Sequence, residues 1–222
     1  MDSLSYVFLA YCSFATALFL LSPVCRCRSE LLLLDTSHLR YSWLTLFLAA
    51  FLMTFLDIVI DPVALQGSKW FLGQIYFYPE GGLYFGVPLS NFGGWFIVGA
   101  IMVFFLQQII SRPVNTNKTD IFFFRLPWGS FLGVFLYVGI LFFNVWVSYL
   151  IKEYPLALVN TFYVFLFLAL CLCSLWYKLE KADPKDFELH VKEFPLVRSA
   201  YLAGNKIFTE ASNGKNLHEN RR

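Results

Sequence analysis

The chain has 222 residues, of which 58% are hydrophobic, 20% aromatic and only 14% charged, against about 25% charged in an ordinary soluble domain. That excludes a disordered chain, and five cysteines are too sparse for a disulfide-rich secreted module. A formal charge of +2 gives no basic footprint for nucleic acid, so what remains is a membrane protein or an unusually apolar soluble one.

The distribution of the apolar residues decides between these, because a helix needs about 20 mostly apolar residues to cross a bilayer. Residues 4–24 form the first such run and carry no charge. The residues ahead of it include Asp2 and no Lys or Arg, so the basic segment of a signal peptide is missing and the run reads as a retained span. Residues 41–60 are apolar apart from Asp57. Residues 92–110, 128–151 and 154–177 complete the set, all uncharged. The expected fold is all-α: a polytopic integral membrane helical bundle of about five transmembrane helices, with a Gly/aromatic-rich loop between helices 2 and 3. Residues 1–177 make one transmembrane domain with eight basic and eight acidic residues. Residues 178–222, with nine basic and seven acidic, read as a polar cytoplasmic tail, solvated and partly disordered.

Orientation follows from Lys and Arg. If the spans alternate, fifteen of the seventeen basic residues fall on one side. The expected topology in the cell inner or plasma membrane therefore has the N-terminus outside and the C-terminus in the cytoplasm. The loop holding residues 62–90 then lies outside.

Ionisable residues within or at the edge of a span are functional candidates by default. Asp57 and Asp61, in Asp57-Ile-Val-Ile-Asp-Pro62, are spaced i,i+4 and share one helix face. They sit at a helix C-terminus, where the macrodipole disfavours negative charge. Two like charges near a low-dielectric region disfavour ionising both, the condition a general acid needs. The structural alternative makes Asp61 an interfacial residue ahead of a helix-stopping Pro62, and Asp57 a hydrogen-bond partner of a neighbouring helix. The loop that follows is rich in glycine and in Trp and Tyr: Trp70, Tyr76, Tyr78 and Tyr84, with Trp95 just beyond. Pro79-Glu80-Gly81-Gly82 signals a turn in a hairpin-like or re-entrant cap. An interfacial aromatic belt accounts for any one of these rings alone. Asn91 and Trp95 are again i,i+4 and could face the acid pair across a cavity.

His38, His190 and His218 are scattered, which excludes the clustered-histidine di-iron chemistry of membrane desaturases. No phosphate loop, dinucleotide fingerprint or Ser-His-Asp set is present. The C-x-C pairs Cys25/Cys27 and Cys171/Cys173 carry little signal for metal, and packing explains Cys12, Cys171 and Cys173.

Asp57-Ile-Val-Ile-Asp-Pro62, then Gly67 and Trp70, Tyr84-Phe-Gly-Val-Pro88 and Asn91-Phe-Gly-Gly-Trp95 together resemble the carotenoid biosynthesis membrane proteins. Members include the carotenoid 1,2-hydratases and bisanhydrobacterioruberin hydratase. The ordered motifs span about 40 residues. Family members usually carry further helices ahead of this region, so the resemblance implies a chain lacking that N-terminal part. It also implies acid-catalysed addition of water to the terminal double bond of an acyclic carotenoid, through a tertiary carbocation. Asp57 and Asp61 would serve as acid and base in either order. Trp70, Tyr84, Asn91 and Trp95 would bind substrate or water, and Glu80 would be an additional acid. No metal or other cofactor is implied. The expected partners are the lipid bilayer, the polyene substrate and other carotenoid-pathway enzymes.

Two other classes compete. A membrane prenyltransferase would use Asp-rich motifs to hold magnesium and a diphosphate. Asp57-x-x-x-Asp61 is one weak echo, and a second motif is missing. A transporter would favour acids near the bilayer midplane. A non-catalytic scaffold makes no demand on the acid pair.

Overall fold

The computed structural model describes residues 2–27, 30–69, 73, 76–110, 128–181 and 184–193. Five apolar helices dominate: α1 (Asp2–Leu21), α3 (Trp43–Ala64), α4 (Leu89–Ile110), α5 (Leu132–Leu150) and α6 (Tyr154–Glu180). A one-turn helix, α2 (Ser37–Arg40), precedes α3, and α7 (Pro184–Glu193) follows α6. Among the described residues, Trp43–Ala64, Leu89–Ile110, Gly129–Leu150 and Tyr154–Glu180 are long and apolar enough to cross a membrane. Ser5–Leu21 of α1 adds a shorter apolar helix. The chain is an integral membrane helical bundle.

Helix α3 is the hub, packed against α1, α4 and α5. It starts at Ser42, whose hydroxyl accepts the Thr45 amide at 3.1 Å and so satisfies a donor with no intrahelical partner. Lipid tails are as apolar as the side chains, so helix association here relies on close packing and interhelical hydrogen bonds. Both are present. Ala49 and Ala50 are fully buried, and opposite them Gly99 of α4 leaves so little room that a Cβ there would sit 3.3 Å from the Met53 sulfur. Gly133 of α5 approaches α1 more closely still, since a Cβ would lie 2.4 Å from that of Ala15. Tyr137, fully buried, ties α5 to α3 by donating to the Leu52 carbonyl at 2.7 Å.

Helix α3 continues through Pro62 to Ala64, so Pro62 does not stop the helix. Proline cannot donate to the Ile58 carbonyl four residues back, a loss that a packed membrane helix tolerates. The turn closes beyond it: the Leu65 amide donates to Asp61 O at 3.0 Å, and Gln66 Nε2 donates to Pro62 O at 3.1 Å. Asp61 is therefore a helical residue, and it is buried.

The segment between α1 and α2 is not a plain loop. Strands β1 (Val24–Cys27) and β2 (Glu30–Leu33) form an antiparallel hairpin with Val24 opposite Leu33. Cys25, Leu32 and Leu34 are buried there, and Phe187 of α7 packs against them. His190 of α7, also buried, lies 2.7 Å from the Asp35 carbonyl, and the Ser37 amide donates to Glu193 at 2.5 Å. Asp35 pairs with Arg40 as well. The start of the polar tail is thus a docked helix. Spacing explains the docking, because Phe187 and His190 are i,i+3 and share a face.

Candidate active site

Asp57 and Asp61 project from one face of α3 near its C-terminal end, and both are more than nine-tenths buried. Asn91, in the first turn of α4, faces them. Its Nδ2 donates to Asp57 Oδ2 at 3.0 Å and to Asp61 Oδ2 at 2.6 Å. One amide group therefore clamps both carboxyls. Tyr76, from the loop between α3 and α4, donates its hydroxyl to Asp61 Oδ1 at 2.5 Å. Asp61 thus accepts from two directions, from α4 and from the loop.

The Tyr76 ring meets Tyr78 edge-on at 5.8 Å. Burial, followed by the neighbouring Asp61 carboxyl, pushes the Tyr76 phenol well above its ordinary range. Burial raises Tyr78 too, with smaller contributions from Asp61 and Asp57. Both phenols stay protonated, so Tyr76 remains a donor toward Asp61.

A cavity of about 430 Å³ opens beside the pair, within the range typical of small-molecule sites. α1, α3 and α4 supply its walls, and Tyr76 and Tyr78 cover the end that holds the acids. Its far end is apolar, with Leu9 of α1 and Met53 of α3. Trp95, one turn beyond Asn91, lines it and packs against Tyr6 of α1 with ring centroids 5.0 Å apart.

Four of the residues singled out from sequence come together here: Asp57, Asp61, Asn91 and Trp95. Tyr84 and Glu80 do not line the cavity. Tyr84 sits in a tight turn in which its amide and carbonyl exchange hydrogen bonds with Val87 at 3.2 and 2.9 Å. That turn directs its ring against Phe85 and Phe92. Gly82 makes the turn possible, since a Cβ there would fall 2.0 Å from the Val87 carbonyl carbon. Glu80 lies exposed at the preceding turn. Trp70 lies outside the described residues. Sequence reasoning noted the aromatic enrichment around Tyr76 and Tyr78 without assigning either to the site. It missed Tyr6 and Leu9 altogether, because α1 lies some distance away in sequence and an aromatic residue in a first span carries no signal of its own.

Lys69, the only basic residue between α3 and α4, pairs with Glu153 at 2.5 Å and is not among the cavity-lining residues. A diphosphate beside the acids would have no cation from this loop. Among the described residues no group of three or more His, Cys, Asp or Glu side chains is placed to hold a metal ion.

Fold and site together define a polytopic membrane protein with a clamped diacid beside a cavity between its helices. The family model of the carotenoid biosynthesis proteins matches residues 3–176, and the chain belongs to that family. No curated protein and no solved structure matches it.

Proposed function

We propose that the chain is a carotenoid hydratase that adds water to the terminal double bond of an acyclic end group. The observation that carries this is the Asn91 clamp. It holds two carboxyls side by side in a cavity whose remaining lining, apart from Ser5, is apolar and aromatic.

Asp57 carries the proton and Asp61 is the carboxylate. Asp61 accepts from both Asn91 and Tyr76, an arrangement that favours the charged form. The Asp57 proton adds to the CH carbon of the terminal isopropylidene group. Positive charge then develops on the dimethyl carbon. Trp95, Tyr6 and Tyr78 line the cavity in which that charge forms, and a ring face turned to it would contribute about 0.5–2 kcal/mol when desolvated. Water adds to the cation, and its surplus proton passes to Asp61. A tertiary alcohol results. Transfer of that proton from Asp61 back to Asp57, whose Oδ2 atoms converge on the same Asn91 nitrogen, restores the starting state. The steps balance without an oxidant, reductant or metal.

The bias of Lys and Arg supports placing the acid pair at the non-cytoplasmic end of the bundle and the polar tail in the cytoplasm. The pairing of Lys69 with Glu153 weighs against a prenyl diphosphate substrate. Co-expression with a pathway that makes lycopene tests the proposal. Pigments gaining the mass of one water are expected, and unchanged lycopene from a well-expressed chain would argue for a scaffold.

A further inference from the structure

The cavity has a direction. Its acids lie at Asp57 and Asp61, and its apolar end includes Met53, eight residues back along the same helix or about 12 Å from Asp61. Moving from Asp61 to Met53 is moving from the helix end toward the middle of the span. A substrate whose reactive end meets the acids therefore has the rest of its length leading away from the loop and toward the bilayer interior. A cavity of about 430 Å³ takes one end of a long polyene, so the remainder needs an exit into lipid.

The helix packing indicates where. α1 and α4 both pack extensively on α3 and meet each other only lightly, so the wedge between them lies directly over the α3 face that carries the acids. One contact that spans the wedge is the pair Tyr6 and Trp95, tilted by 50°. Tyr6 is 38% exposed and also lines the cavity, so it stands at the boundary between the cavity and the outside of the bundle. On the cavity side of this pair lie Ser5 and the apolar Leu9, one turn further along α1.

We infer that the α1–α4 wedge is a lateral portal for a long, acyclic polyene chain, with Tyr6 and Trp95 as its aromatic gate and specificity-determining pair. This rests on the hydratase reading for the identity of the chain that enters. The gate explains how an apolar substrate reaches buried acids without crossing the polar loop. It also restricts entry to a slender end group, because the two rings are already in van der Waals contact and must part around whatever passes.

The test uses the full chain in phospholipid vesicles containing lycopene. A photoreactive side chain is installed by Tyr6→p-benzoylphenylalanine, and in a separate protein by Phe165→p-benzoylphenylalanine on α6, where Phe165 is 72% exposed. Irradiation followed by mass spectrometry counts polyene adducts relative to phospholipid adducts. The portal predicts an enrichment of polyene at position 6 of about tenfold over position 165. The same enrichment is expected in an Asp57→Asn background, because entry precedes chemistry. Equal polyene labelling at the two positions overturns the portal, and if hydration still occurs the hydratase reading survives. Enrichment at position 6 without hydration by the unaltered acid pair keeps the portal and overturns the hydratase.

Discussion

At Asn91 one amide nitrogen reaches two carboxyl oxygens, and neither a shorter nor an apolar side chain can repeat this. Replacement by Leu leaves both acids buried without that donor, and each such loss costs about 1–3 kcal/mol. Asn91→Leu should lower hydration by about 100-fold or more, measured as product formed per mole of protein in vesicles. Asp57→Asn and Asp61→Asn remove the proton donor and acceptor, and a loss of about 10²–10⁴-fold is expected for each. Full activity in both variants would end the assignment of the pair. Tyr76→Phe removes one of the two donors on Asp61 and should cost about 10–100-fold. Tyr78 is predicted to leave the pH profile alone. Its phenol is raised above an ordinary value of about 10, so it is neutral below that pH. Tyr78→Phe should therefore shift neither limb of the rate profile below about pH 10. The i,i+4 pairs Asp57/Asp61 and Asn91/Trp95 were legible in the sequence because helical spacing alone puts each on one face. The place of Tyr84 was not legible, because the tight turn with Val87, made possible by Gly82, sets the direction of its ring, and aromatic enrichment carries no such information.

The helices themselves were readable to within a few residues, because bilayer thickness sets their length. Residues 154–177 became Tyr154–Glu180, and residues 92–110 became Leu89–Ile110. Which faces touch was not readable, since every side of such a helix is apolar. Small residues settle it. At Gly133 the approach of α5 to α1 leaves no space for a side chain, so Gly133→Leu must push the helices apart. A destabilisation of about 1–3 kcal/mol is expected, visible as a lower unfolding midpoint in mixed micelles. Tyr137→Phe keeps the volume and removes the bond to the Leu52 carbonyl, for a smaller loss of about 0.6–1.7 kcal/mol. The hairpin β1–β2 escaped notice for another reason. Its strands are four residues each, too short for alternation to stand out beside a span.

Across the whole molecule, the two ends of the bundle do different work. The end where α3 finishes and α4 begins holds the acids, the aromatic cover and the head of the cavity. The other end is tied by contacts of α7 with the hairpin and Asp35, which the composition of the tail did not reveal. Deleting residues 184–222 should expose Cys25 and Leu32 and speed proteolysis of the hairpin, while hydration per folded molecule stays unchanged. Loss of chemistry in that truncated chain would mean that the two ends are coupled. The central claim is that Asp57 and Asp61 add water to a polyene end, and the most direct measurement follows the oxygen. The purified chain in lycopene-containing vesicles is incubated in heavy-oxygen water, and the product is analysed by mass spectrometry. The expected result is a tertiary alcohol carrying the heavy oxygen, absent with Asp57→Asn. A hydroxyl without the heavy label, or labelled product from Asp57→Asn at the unaltered rate, would contradict it.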